Sequence, residues 1–596
     1  MRALYLSFLV LIAFGVADEF SAGPYGIEYF DTAGPFVIQD LNTDVAGDIN
    51  FDDIINIQDV IVVIGHIMGN IDLADNQYDQ GNLNADSTID ILDVVILVGL
   101  ILDGAQGGWS FENNWTGEDS YIFIHLQSSA ATSTALWNSN TKGDLLESSP
   151  MNVHYFFLSS TIYSDTDVAN MKAGFDEIIA TYPEEMQNHW NSRLHFVPSR
   201  SLDLDSWLAE ALNGKAALAI DQSQRLRETG FLGTPSGNFT GTYLSYLAHE
   251  AIYFDYEFRR FNESAGENYD EIVVFDRDHY TGWWASSITK EVEFPSNLDS
   301  YSKMEVELIR GCADCGLFNG GQVEIECGEV INYTDDGCDP YDRIAHMAIC
   351  EEDGSGCYEI ARWITPFGRQ PISLTDITPF IASLRSGSSR VVKFQESGWP
   401  NSLLTLKFRF YHGDSQEANP KEIIPLWNGT VGFNPDYSDN RPPQTFSIPP
   451  NAEKVEFVSF LTGHGWSCNA TFQCAEFCNS RHEFSVNGGE YNFSKAHPTA
   501  GAQTHCMDLE TIAQGVIPNQ GGTWGYGRAG WCPGQEVKPY VVDISDGVIL
   551  GDDNIIEYDA CRVNGNSCVT PPVCSNSPDG CYCPEIAFSS YIVISY

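Results

Sequence analysis

NRPPQTFSIPPN, residues 440–451, interrupts a long run of short strands with four prolines. Proline cannot donate to a sheet ladder, so a cluster of this density marks a break rather than a strand. On either side of it, from Tyr269 to the C-terminus, apolar and polar residues alternate in short segments bounded by Gly, Pro and Asn. That texture predicts antiparallel sandwiches, and the break divides it into 269–442 and 443–596, each of ordinary domain size.

Upstream the texture differs. YIFIHL (Tyr121–Leu126), VHYFFL (Val153–Leu158) and RLHFV (Arg193–Val197) read as buried strands, with helices over Asp167–Tyr182 and Ser206–Asn213 and a hairpin turning at Gln222–Gln224. The order β-α-β-α-β-β over 115–235 resembles a thioredoxin-like fold. This stretch has no cysteine, so dithiol chemistry is excluded and a spacer or binding role is expected.

Earlier still, DINFDDIINIQDVIVVIGHIMGN from Asp48 and NLNADSTIDILDVVILVGLILDG from Asn82 form a repeat offset by 34 residues. Oxygen-bearing side chains fall at positions 1, 3, 5, 9 and 12 of each: Asp48, Asn50, Asp52, Asn56 and Asp59, then Asn82, Asn84, Asp86, Asp90 and Asp93. A hard cation such as Ca²⁺ takes oxygens at this spacing from one loop. An acidic turn whose Asp caps the next helix gives a similar string. The pair resembles a type I dockerin, which implies a small α module over 41–104 that binds Ca²⁺ and either docks onto a cohesin-like or surface partner or serves as a calcium-stiffened spacer. Position 6, usually Gly, is Asp53 and Ser87, and position 12 is Asp rather than Glu.

Residues 1–17 (Met1 and Arg2, then ALYLSFLVLIAFGVA) read as a secretory signal peptide, 18–40 as a linker and 236–268 as a connector. No other apolar run is long enough to span a bilayer. A formal charge of −52, from 30 basic and 82 acidic residues, argues against nucleic acid as a partner. All sixteen cysteines follow Gly311, and in an exported chain they are expected as disulfides.

Within the sandwiches several acids sit in unusual settings. CDPYDR (338–343) sets Asp342 beside Arg343, whose charge would keep it ionised. KFQESGW (393–399) puts Glu396 near Trp399, a pairing that suits a sugar ring, although an exposed strand glutamate is the plainer reading. FQCAEFC (472–478) holds Glu476 between two cysteines, compatible with a metal site, a redox pair or a stapled loop. GGTWGYGRAGWCPG (521–534) carries Arg528 and Trp531 on a glycine-rich loop.

Together with YEIARWITPF (358–367), these segments resemble the peptide-N-glycosidase F family in order and approximate spacing. The resemblance covers about 269–596 and implies two adjacent eight-stranded antiparallel jelly rolls, so the chain is expected to be mainly β. It implies hydrolysis of the amide between N-acetylglucosamine and asparagine of N-glycoproteins, giving aspartate and a glycosylamine, with no metal or other cofactor in catalysis. Asp342 matches the primary catalytic aspartate, Glu476 and Arg528 the groups that hold water at the amide, and Glu396 a carboxylate for the chitobiose core. Arg343, Trp399, His464 and Trp531 are implied to line the cleft. Family pairing implies Cys474–Cys478 and Cys506–Cys532; Cys350–Cys357 is expected to staple a hairpin and Cys327–Cys338 to lie beside the active loop. Tyr341 stands where the family has Trp, QESGW has one residue more before its tryptophan, and the order of His and Trp in GHGW (463–466) is altered. A glycan-binding protein with no hydrolytic activity is the alternative.

Overall fold

The computed structural model describes residues 19–42, 47–51, 55–84, 86, 88–102, 108–204, 206–235, 239–312, 323–324, 330–331, 338–384, 389–398, 402–413, 419–465, 474–489, 491–574 and 582–596. The expected signal peptide, Asp52, Cys327 and Trp399 lie outside them. Among the described residues no helix is long and apolar enough to cross a membrane. The chain divides into two compact units, 1–232 with 241–254, and 233–240 with 255–596.

The first unit is built on a five-stranded sheet in the order Leu194–Arg200, Val153–Ser159, Ser120–Leu126, Ala217–Ile220, Leu226–Arg227. The first three strands are parallel and the hairpin joins antiparallel. Ser120–Leu126 and Val153–Ser159 are buried throughout, as strands covered on both faces must be. Helix Ser164–Ile179 places Val168, Met171, Phe175 and Ile179 on one stripe against the sheet layer. The linker expected at 18–40 is instead part of this unit. Val37–Ile38 pairs with Trp109–Ser110, and Phe36, Trp109 and Phe111 join Tyr121, Phe123 and Phe156 in one aromatic core. Two-residue strands carry too little periodicity to be seen in a sequence. The repeat region is thus an insertion between the two halves of that pairing. Its helices, Ile57–Ile67 and Ile91–Leu102, share a core of Ile49, Ile55, Val60, Val63, Ile89, Val94 and Leu97.

The stretch 236–268, expected as a connector, contains the sixteen-residue helix Leu247–Asn262. Its residues up to Phe254 belong to the first unit and those from Asp255 to the second.

In the second unit a first sandwich has one sheet in the order Ile372–Asp376, Tyr301–Cys312, Ser402–His412, Tyr269–Tyr280. The facing sheet runs Tyr358–Ile364, Ile344–Cys350, Ser389–Glu396, Ser286–Glu293, and every pairing in both is antiparallel. The second sandwich sets Pro420–Pro425, Glu585–Ser595, Lys454–His464 and Tyr540–Asp543 against Gln444–Ser447, Asp553–Asn564, Ser480–Val486 and Tyr491–Ala496. The fold is mainly β, as two antiparallel double-layered sandwiches.

The proline break does not separate them. Pro420–Pro425 and Thr430–Gly432 already pair with the last strand, Glu585–Ser595, so the second sandwich begins upstream of residue 442. The prolines mark the passage from one sheet of that sandwich to the other, where Gln444–Ser447 pairs with Asp553–Asn564. Glu585–Ser595 is buried at all but its first residue because it is covered on both faces. Ile592 and Ile594 face their own sandwich, while Tyr591 and Val593 join Phe380 and Phe460 in the core of the first. Arg362 bridges the two sandwiches, donating to Thr462 Oγ1 at 2.8 Å and to the Ala587 carbonyl at 2.9 Å.

Candidate active site

Asp342 stands on a short loop pinned from both sides. The Asp339 carboxylate accepts from the Tyr341 N–H at 3.0 Å and from Arg343 Nε at 2.5 Å. Thr365 Oγ1 accepts from the Arg343 N–H at 2.8 Å and donates to the Tyr341 carbonyl at 3.0 Å. Such a double tether fixes the backbone of Asp342 without engaging its carboxylate.

Glu476 is framed differently. Cys474 and Cys478 are disulfide-bonded across a Cα separation of 4.8 Å, which closes a five-residue loop with the glutamate at its centre. This settles the three readings of FQCAEFC in favour of a staple. The loop lies against the end of strand Lys454–His464, where a Cβ on Gly463 would meet the Ala475 carbonyl oxygen at 1.8 Å. Only glycine permits that approach. The Gly465 N–H then donates to Glu476 Oε2 at 2.9 Å.

Arg528 joins the two acids. Its NH2 donates to Asp342 Oδ2 at 3.1 Å, and its Nε lies 3.4 Å from Glu476 Oε1. The side chain is held by carbonyls of its own loop, with NH1 donating to Thr523 at 3.0 Å and Tyr526 at 2.6 Å. The Cys506–Cys532 disulfide staples this loop. Phe367, Phe477 and Trp531 surround the guanidinium, with ring centroids 5.0–5.8 Å away.

Two carboxylates that share one cation in a dehydrated site cannot both ionise freely. Burial raises Asp342, and Arg528 opposes the rise. Burial also raises Glu476, and the charge of Asp342 adds to it, against Arg528 and the Gly465 N–H. Glu476 is therefore the member that keeps its proton longer.

Glu396 does not join this group. It ends strand Ser389–Glu396 and is 2% exposed, so it is no surface glutamate. Its Oε2 lies 2.8 Å from Arg310 Nε at an angle that makes no hydrogen bond. Both of its oxygens are buried with no hydrogen-bond partner among the described residues. Burial pushes it up to about 7, with Asp339 adding to the rise and Arg310 and Arg343 opposing it. Arg310, Asp339, Arg343 and Glu396 thus form a second polar set beside the first.

Trp531 is buried, donates Nε1 to the Gly463 carbonyl at 2.8 Å and stacks on His464 at 5.2 Å. It backs the site rather than facing a ligand, contrary to the expected cleft-lining role. Burial, with Arg362 and Arg528 nearby, pushes His464 down to about 3, and it rests on Thr462 Oγ1 at 2.7 Å. Asp339, Thr365, Thr523 and Arg310 were not singled out in the sequence. Only the Asp-Pro turn at Asp339 carries a local signal.

Besides the disulfides named, Cys350–Cys357, Cys561–Cys568 and Cys574–Cys583 are formed. Cys338 is also disulfide-bonded. A cavity of about 1120 Å³ elsewhere in this unit is lined by Tyr256, Arg260, Glu305 and Glu536 among others, and by none of the three acids.

In the repeat region the position-12 carboxylates are turned to backbone. Asp59 accepts from the N–H groups of Ile49, Asn50 and Asn56, and Asp93 from those of Asn84 and Asp90. Asn56 and Asp59 form a capping box on helix Ile57–Ile67. No three acids, histidines or cysteines converge on one point among the described residues. In the second loop Asn82 Oδ1, at the first position, is buried with no hydrogen-bond partner among the described residues, the one oxygen there left for a hard cation.

The family model "Peptide-N-glycosidase F, C terminal" matches residues 433–593. A curated relative, "Peptide-N(4)-(N-acetyl-beta-D-glucosaminyl)asparagine amidase F" of Elizabethkingia miricola, is 25% identical over 240 residues, covering 37% of this chain and 63% of that protein. The chain therefore spans less than two thirds of that relative's length. Among solved structures, a glycosylasparaginase from Flavobacterium meningosepticum titled "PNGASE F" is 20% identical, with a TM-score of 0.39 over 55% of this chain and 96% of that one. "PNGF-II" is 15% identical, with a TM-score of 0.38 over 58% and 67%.

Proposed function

We propose that this chain is an exported amidase that hydrolyses the bond between N-acetylglucosamine and asparagine in N-glycoproteins. The observation that carries this reading is one buried guanidinium, Arg528, shared by Asp342 of the first sandwich and Glu476 of the second. Ionised Asp342 takes a proton from water as its oxygen adds to the side-chain carbonyl of asparagine. Arg528 offsets the charge that gathers there, and protonated Glu476 gives its proton to the departing nitrogen. The C–N bond breaks, leaving aspartate and a glycosylamine. Amide hydrolysis needs this base, this acid and this fixed cation. Glu396 and Arg343 bind the sugars nearest the bond.

The similarity over 433–593 supports the assignment of the second sandwich, and disulfides, five of them placed among the described residues, suit an oxidising compartment. The repeat module would hold Ca²⁺ through Asp48, Asn50 and Asn56 in one loop and Asn82, Asn84, Asp86 and Asp90 in the other, stiffening it. Its exposed Ile57, Ile61, Met68, Ile91 and Val95 suit a docking partner.

Mass spectrometry of an N-glycopeptide after incubation tests the main reading. Conversion of asparagine to aspartate with glycan loss is expected. Binding of the glycan without conversion would leave a glycan-binding protein instead.

A further inference from the structure

Two of the three groups at the site belong to one body. Ala529, next to Arg528, donates its N–H to the Glu476 carbonyl at 2.8 Å and accepts from the Gly463 N–H at 2.9 Å. The guanidinium and the stapled glutamate are thus both parts of the second sandwich, whereas Asp342 arrives with the first. The 3.1 Å between Asp342 Oδ2 and Arg528 is therefore a distance between two sandwiches, and contacts that cross from one to the other must set it.

One such crossing lies at Phe367, just after strand Tyr358–Ile364. On one side of it Thr365 tethers the Asp342 loop, and on the other the Gly368 N–H donates to the Asp339 carbonyl at 2.8 Å. Both main-chain groups of Phe367 are given to the segment that leads into Arg528. Its N–H donates to Gln520 Oε1 at 2.9 Å, and its carbonyl accepts from the Gly521 N–H at 2.9 Å. The Phe367 ring lies 5.8 Å from the Arg528 guanidinium carbon.

Gln520 is fully buried, and its Nε2 donates to the Ile517 carbonyl at 2.6 Å and to the Pro533 carbonyl at 2.7 Å. One N–H and two carbonyls face this amide, so its orientation is fixed by its neighbours and each of its own N–H groups has a partner. An apolar side chain would fill the space but leave three main-chain groups unpaired. Ile517 and Pro533 flank the stretch that carries Arg528. Just beyond, the Gly534 N–H donates to the Ile364 carbonyl at 3.0 Å and the Ile364 N–H to the Gln535 carbonyl at 3.1 Å, which lays the same chain on the edge of the first sandwich. A Cβ on Gly534 would lie 3.1 Å from Gln520 Nε2, so the glycine gives the amide its room.

We propose that Gln520 is a positioning residue that sets Arg528 of the second sandwich at hydrogen-bonding distance from Asp342 of the first. It acts through Phe367 and the two flanks of the Arg528 loop. The catalytic consequence rests on the function proposed above; the placement of the two charged groups does not. The test is Gln520→Met in the full chain, which keeps the length of the side chain and removes its three hydrogen bonds. Arg528 then stays with Glu476 and withdraws from Asp342, whose carboxyl loses the charge that opposes its burial. Arg343, the other cation near Asp342, is held by Asp339 and remains.

On an N-glycopeptide, kcat is expected to fall about tenfold with KM unchanged, because a small misplacement of a reacting group costs rate rather than binding. The acid limb of the kcat/KM profile is expected to move to higher pH. Unchanged kcat with an unmoved limb overturns the proposal. So does a fall in kcat that accompanies a fall in melting temperature while the limb stays, the behaviour of a loop that is merely loosened. If Gln520→Met does not fold, Gln520→Asn, one methylene shorter with both polar ends kept, carries the same test. Infrared titration of the Asp342 carboxyl, isolated as the difference from Asp342→Asn in each background, needs no turnover. If the wild type releases nothing yet that titration rises in Gln520→Met, the amidase reading falls and the positioning role stands. A titration that does not move overturns the role even where glycan is released.

Discussion

Acidic residues are abundant at two places in this chain, and they are used in opposite ways. In the repeat loops, Asp59 and Asp93 are fully buried, and each hands its oxygens to several backbone N–H groups of its own loop. Between the sandwiches, Asp342 and Glu476 come from loops far apart in sequence and have one guanidinium between them. The first arrangement satisfies each carboxylate locally and stabilises a fold; the second leaves two acids competing for one cation, which moves their proton affinities apart. Acid density therefore says little about chemistry. What matters is whether burial leaves a carboxylate short of partners.

The largest expected effect breaks the comparison on its catalytic side. Asp342→Asn keeps the shape and the Arg528 contact but removes the base, so glycan release should fall by about a thousandfold or more with an unchanged melting temperature. The matching change in the loops, Asp59→Asn, should leave release intact and cost about 1 kcal/mol of local stability, read by hydrogen exchange in helix Ile57–Ile67. If Asp342→Asn retains release, the carboxylate pair is structural as well.

Next in size is the shared cation. Lysine at 528 would keep the charge but cannot donate at once to Asp342, Thr523 and the Tyr526 carbonyl. Arg528→Lys should lower kcat about a hundredfold and also lower the melting temperature, because buried carbonyls lose their donors. Loss of activity with no loss of stability would mean that the loop is held by its disulfide alone.

How far the site was legible follows from the same contrast. Glu476 could be read because its frame is local, two cysteines and a glycine within a few residues of sequence. Arg528 and Asp342 could be read as motifs, but their meeting 186 residues apart is a product of the fold. Glu396 was named through the family resemblance, whereas its strand alone read as exposed: an alternating strand leaves open which face is buried until the opposing sheet is known. Asp339 and Thr365 were invisible because positioning residues carry no pattern beyond an Asp-Pro turn. The proline break was seen but assigned to the wrong level, since prolines mark where a chain leaves a sheet and not which sheet it joins. The aromatic pairing of Phe36 with the segment at Trp109 was missed because the two-copy repeat, inserted between residues 38 and 109, separates its two halves.

The pH dependence of stability sharpens the contrast further. Glu396 has a folded value of about 7 against an ordinary value of 4.5, so between these the native chain keeps a proton that the unfolded chain has released. Its contribution is complete below pH 4.5 and is lost as pH rises towards 7. Glutamine is neutral at every pH, as the wild-type carboxyl is at pH 4, so Glu396→Gln should melt close to wild type at pH 4 and gain on it by a few degrees as pH rises to 7. A difference independent of pH would mean that Glu396 is ionised throughout.

The smallest effect tests the other side. If the repeat loops hold Ca²⁺, a chelator removes charge from between Asp48, Asn50, Asn82 and their neighbours. The position-12 carboxylates already have backbone donors, and the helices share a core of seven apolar side chains. Removing the ion should therefore loosen the loops without unfolding the helix pair. Faster amide exchange is expected at 48–51 and 82–90, with little change in Val60, Val63, Val94 and Leu97 and none in glycan release. A fall in release would overturn the division itself, because it would tie the acids of the loops to those of the cleft. Collapse of the helix core would say that the ion, and not the capping carboxylates, carries the module.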